Sequence, residues 1–330
     1  MKNFWVACVS RGFVFAVFVA CMTGCDSAKR TPGTNSLGMK FVPVGNMQFS
    51  VYLTTRQNFE AFADATHLKS QAWRNPGFQQ GSAHPVVNVT WHEANAFCSW
   101  LTETERKTGL LKASDCYRLP TDLEWSKAVG LSEEYGVTPE DRDMGVQDVY
   151  PWGKQWPPPH DAGNYSAEPE AQTGGVAEPG YDDGYRHTSP VGKFRVNAFG
   201  LYDMGGNVWQ WTGDDFGANH RASPMRGSIR QWLADIWNPK SPPKTLRGAS
   251  WYNGAIPLSL LSSCRISSSP DAMNDTYGFR IVKATDSGFG RWFFLKTSIF
   301  VLLVFLLLRV VAKRSRMRGR QRTTRTIGAS

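Results

Sequence analysis

Cysteine, histidine and carboxylate side chains are the groups of this chain most able to do chemistry, and their spacing is restrictive. The 330 residues include six cysteines and six histidines. Cys8, Cys21 and Cys25 fall in an apolar N-terminal segment, which leaves Cys98, Cys116 and Cys264 for a folded body. An odd number leaves at least one thiol without a partner in the chain; Cys98 with Cys116 is one candidate disulfide, and connectivity does not follow from sequence. His67, His84, His92, His160, His187 and His220 never stand three or four residues apart, so no helix presents two of them to one metal. His92 adjoins Glu93, but adjacent helix positions diverge. Asp214 and Asp215 offer oxygens to a cation, but an acidic turn after Trp211 is the commoner explanation. No Gly-x-Ser-x-Gly elbow, phosphate-binding loop or dinucleotide fingerprint is present.

Composition narrows the classes further. At 41% hydrophobic, 20% charged and 13% aromatic, with 31 Gly, 19 Pro and 13 Trp, the chain is neither collagen nor coiled coil nor mainly disordered. The net charge of +9 is concentrated at the ends. Arg309, Lys313, Arg314, Arg316, Arg318, Arg320, Arg322 and Arg325 crowd a tail without acids, and Lys2 and Arg11 lie near the start. The body between is essentially neutral and has no electrostatic footprint for a phosphate backbone, so nucleic acid is excluded as a partner.

Both ends carry membrane signals. Residues 1–25 have a basic start, an apolar run and small residues before Cys25, the pattern of a signal peptide. The Thr23-Gly24-Cys25 ending resembles a bacterial lipobox, with Cys25 as the lipidation site, although Met22 stands where Leu is usual; plain cleavage or an uncleaved anchor are the other readings. Asp26 resembles an inner-membrane retention signal. Residues 26–36 are polar and read as a tether. Residues 292–312 would extend about 31 Å as a helix, enough for one transmembrane crossing. Their uncharged part, 297–308, covers only about 18 Å, so Lys296 and Arg309 would snorkel outward. Residues 284–291 form a linker before the span, and 313–330 a basic tail that the positive-inside rule places in the cytoplasm. These signals predict a protein of the cell membrane whose body faces the periplasm; an amphipathic C-terminal extension is the competing reading.

The body must position whatever site exists. Residues 39–44 and 47–52 read as strands. Thr54 and Thr55 precede Phe59, Phe62 and Ala63 on one helical face. Thr90 with Glu93, and Thr121 with Glu124, form capping boxes that open two more helices, the first with Ala94, Phe97, Cys98 and Leu101 inward. From Tyr150 to Arg280 the chain is rich in Gly, Pro and Trp, with many turn signals and few periodic segments. The expectation is one α+β domain with much irregular structure.

Several strings then coincide in order: Gly38-Met-Lys-Phe-Val-Pro-Val44, Val89-Thr-Trp-His-Glu-Ala-Asn-Ala-Phe-Cys98, Tyr117-Arg-Leu-Pro-Thr-Asp-Leu-Glu-Trp125, Tyr150-Pro-Trp-Gly153, Asn197 through Gly205-Gly-Asn-Val-Trp-Gln-Trp211, Leu246-Arg-Gly-Ala-Ser-Trp251 and Gly278-Phe-Arg280. Over residues 37–283 the chain resembles the formylglycine-generating enzyme, or sulfatase-modifying factor, family, a variant of the C-type-lectin fold. The resemblance implies structural calcium at Asn164 with the Tyr165 carbonyl and Asp183 with the Tyr185 carbonyl. A second site would comprise Asp203, the Gly206 and Val208 carbonyls, and Gln210, with Gln210 where the family has Glu and Asp203 where it has Asn. Such hard oxygens suit Ca²⁺, and Asn or Asp beside Gly also caps turns without metal. The first site is the expected one.

The resemblance also implies what is missing. Active members use a cysteine pair for copper, and those positions map to Asn253 and Leu258; neither is a thiolate, so a copper cofactor is not expected. Relatives with three-histidine iron carry an additional helical domain for which this chain has no room. Trp209, Ser250, Asn253 and Arg265 map to the family's groove and suit peptide or glycan contact, with Trp209 serving either groove or core. The predicted function is a membrane-anchored exported binding or scaffolding module. The alternatives are an oxidoreductase working without the cysteine pair, through Ser250, Asn253 and Arg265, and a structural element of an envelope assembly.

Overall fold

The computed structural model describes residues 33–131, 133–165, 181–217, 241–254 and 257–285. The expected signal peptide with Cys25, the expected span over 292–312 and the basic tail lie outside these residues. Among the described residues no helix is long and apolar enough to cross a membrane.

Four capped helices and eight strands are described. They are β1 Phe41–Val44, β2 Met47–Ser50, α1 Arg56–Thr66, α2 Trp91–Lys107, β3 Asp115–Arg118, α3 Asp122–Val129, α4 Pro139–Arg142, β4 Trp209–Asp215, β5 Lys244–Arg247, β6 Arg265–Ser268, β7 Tyr277–Gly278 and β8 Val282–Thr285. Each helix begins with a reciprocal capping box, at Thr55/Asn58, Thr90/Glu93, Thr121/Glu124 and Thr138/Asp141, which satisfies amide groups that have no partner within the helix. α1 buries Phe59, Phe62 and Ala63. α2 buries Ala94, Phe97, Cys98 and Leu101, as the pattern predicts.

The strands form two four-stranded sheets, one ordered β1-β2-β8-β3 and entirely antiparallel, the other β6-β5-β4-β7 with β4 and β7 parallel. The chain end returns to the first sheet, where β8 inserts between β2 and β3. The short link between β7 and β8 therefore joins the sheets. Its apolar residues, Phe279 and Ile281, sink into the core with Trp73, Phe97 and Trp211. The mixed helix and sheet content and the long irregular segments agree with the α+β expectation.

Three expectations change. Residues 33–36, assigned to the tether, are folded: the Asn35 side chain accepts from the amides of Leu37 and Met39, and Ser36 N–H donates to Glu105 Oε1. At the other end β8 runs through Thr285, two residues into the expected linker. Cys98 and Cys116 both carry thiols and are not bonded to each other. α2 is fastened to β3 by hydrogen bonds instead, with Thr102 Oγ1 accepting from Tyr117 N at 2.8 Å and Arg106 donating to the Asp115 carbonyl.

A buried charge cluster locks α3 to the second sheet. The fully buried Asp122 carboxylate accepts from Arg142 Nε at 3.1 Å, from Arg265 Nη2 at 2.9 Å and from Arg247. Burial alone would raise its pKa, but Arg247 and Arg265 outweigh that effect and hold it below the ordinary carboxyl value. A carboxyl lowered in the fold stabilises fully above its unfolded pKa of about 3.9, and this stabilisation disappears as pH falls through the folded value. Asp122→Ala leaves three guanidinium groups without their shared anion, and the expected cost is about 3–5 kcal/mol in urea denaturation at neutral pH. The wild type should also lose more stability than the variant below about pH 4. Identical acid limbs would contradict this assignment.

Candidate functional site

The irregular segments converge where Asn207 holds them. Asn207 takes a left-handed conformation, φ 63°, and is fully buried. Its Oδ1 accepts from Ser189 N, its Nδ2 donates to the Ser189 carbonyl, its amide donates to the Asn164 carbonyl at 2.8 Å, and its carbonyl accepts from Trp251 N. One residue thus gathers the 163–165, 187–189 and 250–254 loops. Gly206 and Gly248 permit the close approach. Their amide and carbonyl meet at 2.8 Å, both have positive φ, and a Cβ on Gly206 would lie 2.5 Å from the Asn164 carbonyl oxygen. The Gly-Asn string seen in the sequence is therefore a junction.

On this junction stands a cluster of half-exposed rings. Phe78 stacks on His187 with centroids 4.3 Å apart and planes 3° from parallel, while Trp251 meets both edge-on, at 5.7 and 4.8 Å. Tyr252 packs edge-on against Trp251. Trp251 Nε1 donates to the Asp275 carbonyl at 3.1 Å, and burial raises the Asp275 carboxyl pKa against the opposing charge of His187. Beneath them Ser250 and Asn253 form a closed pair: Asn253 Oδ1 accepts from Ser250 N at 3.0 Å and from Ser250 Oγ at 2.8 Å. Aromatic faces beside polar groups suit contact with a peptide or glycan.

Of the four groove candidates, the structure brings Ser250 and Asn253 together. Trp209 is buried in the main core, so the core reading holds. Arg265 is a correction: its guanidinium is fully buried, paired with Asp122 and Glu134 and bonded to the carbonyls of Arg142 and Ser263. An arginine in the second sheet beside α3 completes that charge cluster rather than a groove. Sequence reading missed Phe78 and His187. Phe78 lies in a Gly/Gln loop with no periodic pattern, and His187 has no histidine or cysteine at ligand spacing. Only the fold makes them neighbours.

The oxygen-rich positions also assemble, with one exception. Asp183 Oδ2 accepts from Tyr165 N at 2.7 Å and Oδ1 from Tyr185 N at 2.8 Å, which draws Asn164, Tyr165, Asp183 and Tyr185 into one turn pair. Asn164 Nδ2 donates to the His187 carbonyl, while the buried Asn164 Oδ1 has no hydrogen-bond partner. Burial pushes the Asp183 carboxyl up to about 6, against the two amide bonds that lower it. An orphaned acceptor beside a carboxylate short of positive charge is a donor set that fits a hard cation.

In the second set Asp203 Oδ2 accepts from Gly192 N, and Oδ1 is likewise buried and unpartnered. Gln210 is a correction. Its Oε1 accepts from Trp125 Nε1 at 2.9 Å and Arg280 Nε at 2.7 Å, and its Nε2 donates to the Asp203 carbonyl. Both lone-pair directions of that oxygen are used, one by a cationic side chain, so Gln210 is not available as a metal ligand.

Comparison with known proteins places this architecture. Residues 23–285 match the sulfatase-modifying factor enzyme 1-like domain. The chain is 28% identical over 257 residues to the formylglycine-generating enzyme of Bos taurus, covering 74% of this chain and 57% of that protein. It is 30% identical over 230 residues to the inactive C-alpha-formylglycine-generating enzyme 2 of Bos taurus, covering 66% of this chain and 57% of that protein. The chain thus spans little more than half the length of these relatives. Among solved structures, PvdO from Pseudomonas aeruginosa aligns with a TM-score of 0.45 at 25% identity, covering 72% of this chain and 80% of that one. With the matched region spanning both sheets and every loop of the junction, the chain belongs to the sulfatase-modifying factor enzyme 1-like domain family.

Proposed function

We propose that this protein is a non-catalytic member of its family, a binding or scaffolding module that holds a peptide or glycan at the aromatic cluster over Ser250 and Asn253. One observation carries the reading. The positions that the family resemblance assigns to the copper-binding cysteine pair hold Asn253, committed to Ser250, and Leu258, 48% exposed. Two of the three body thiols, Cys264 and Cys98, are buried. Cys264 is single and buried, and burial, then the charge of Asp143, pushes its pKa up to about 12. Burial raises Cys98 as well. Neither supplies the thiolate that Cu(I) prefers. One of the similar proteins is itself described as inactive, which accords with the same reading. The alternative of a cysteine-independent oxidoreductase loses support, because the Arg265 guanidinium is committed to Asp122 and Glu134.

Titrating the purified protein with Cu(I) should give no stoichiometric tight binding, and no oxygen should be consumed with a cysteine-containing sulfatase peptide. Oxygen uptake dependent on bound copper would overturn the proposal.

The same reading includes a structural Ca²⁺ held by Asn164, the Tyr165 and Tyr185 carbonyls and Asp183. The ion would supply the positive charge that these buried oxygens otherwise lack. A ligand that binds only the folded state stabilises by about 2.7 kcal/mol at a hundred times its Kd, roughly 5–10 °C in Tm for a domain of this size. Adding Ca²⁺ to protein stripped with EDTA should produce a rise of that order; superimposable melts would remove calcium from the proposal.

The end segments support an exported module anchored at the cell membrane. A cytoplasm-dependent reporter fused after Ser330 should be active, and activity of a periplasm-dependent reporter there would reverse the topology.

A further inference from the structure

Away from the aromatic cluster, the fold presents an unusual loop. Tyr135 and Val137 are 84% and 91% exposed, the most exposed large apolar side chains described. Their loop is fixed from beneath. Arg142 Nη1 donates to the Gly136 carbonyl at 2.9 Å and the Val137 carbonyl at 3.2 Å, Asp141 Oδ2 accepts from the amides of Val137 and Thr138, and Glu134 pairs with the buried Arg265 at 2.8 Å. The loop backbone that carries these two apolar side chains out into water is therefore held by its own chain, and the ordering cost of that backbone is met before any partner arrives.

Beside this knob lies an open depression of about 430 Å³, lined by Leu123, Ser126, Lys127, Leu131, Glu133 and Phe199. Leu123 and Phe199 add exposed apolar surface at its edge. Lys127 and Glu133 are both exposed, and among the described residues neither has an ion pair within its own chain. One face thus carries a knob and a receptor, a cation and an anion. A partner of uniform charge would leave one of the two charges opposed. A second copy of the same face, related by a two-fold axis, complements both at once, since in such a contact each residue meets its counterpart's partner reciprocally.

We propose that this face is a self-association surface, on which Tyr135 and Val137 of one copy seat in the depression of a second copy while Lys127 of each faces Glu133 of the other. The occupant is another molecule of this chain. Apolar seating supplies the affinity and the crossed charges fix the register.

The test is sedimentation equilibrium of the full chain in density-matched detergent, over a wide concentration range. The wild type should dimerise. The double variant Tyr135→Asp/Val137→Asp should weaken the dimer by about a hundredfold or more, with an unchanged thermal transition because both side chains are exposed. Lys127→Glu and Glu133→Lys should each weaken it by about tenfold, and the two combined should restore it, because the swapped charges again face their opposites. A wild type that stays monomeric at every soluble concentration overturns the proposal. So does a dimer that the Tyr135/Val137 variant leaves intact, or a charge swap that fails to restore association.

Discussion

Backbone that crosses a protein interior outside helix and strand still has amide and carbonyl groups to satisfy, and that constraint organises this molecule. Here side chains replace the missing ladders. Arg280, fully buried, donates from Nε to Gln210 Oε1, from Nη1 to the Ser50 carbonyl and from Nη2 to the carbonyls of Tyr202 and Asp203. Burial lowers its pKa to about 10, against the opposing charge of Asp203, so it remains a cation at neutral pH. Arg247 does the same for the Ser262 and Cys264 carbonyls while it binds Asp122. A guanidinium has five donors in a rigid fork, and each of these two ties together segments far apart in sequence. Asn207 serves the loops in the same way with an amide.

This mode of construction decides which polar residues remain free for chemistry. Arg265 and Gln210 both look functional as residue types, yet the interior uses them entirely. Ser250 and Asn253 escape that fate only in part, because each satisfies the other. What faces outward at the junction is the aromatic surface of Phe78, His187, Trp251 and Tyr252. The two oxygen sets differ for the same reason. Asn164 Oδ1 in the first and Asp203 Oδ1 in the second stay without a hydrogen-bond partner, whereas Gln210 has given its oxygen to Trp125 and Arg280.

The Asp122 cluster carries the interior's electrostatics to the surface. Its three arginines come from α4, β5 and β6, so α3 and the second sheet are fixed by a single carboxylate. Through Glu134 and Arg142 the same cluster sets the shape of the 133–138 loop. Breaking a buried charge network is costly, so a change in the loop shape that disrupts these contacts carries that cost.

Local chemistry was legible in the sequence. The helix starts at Thr55, Thr90 and Thr121 and the inward faces of α1 and α2 follow from residue type and short-range spacing, since capping and periodicity act over three or four residues; that Asn253 and Leu258 stand where the family has its cysteine pair is what the resemblance implies. The ordered strings also carried the family. What the tertiary structure alone decided were contacts between residues more than seventy positions apart: Arg265 with Asp122, Arg280 with the Tyr202 carbonyl, Phe78 with His187 and Trp251. No period or spacing encodes such pairs. A buried arginine and a groove arginine are the same letter, and the choice between them is made when loops close on one another and each charge takes the partner that offsets its loss of water.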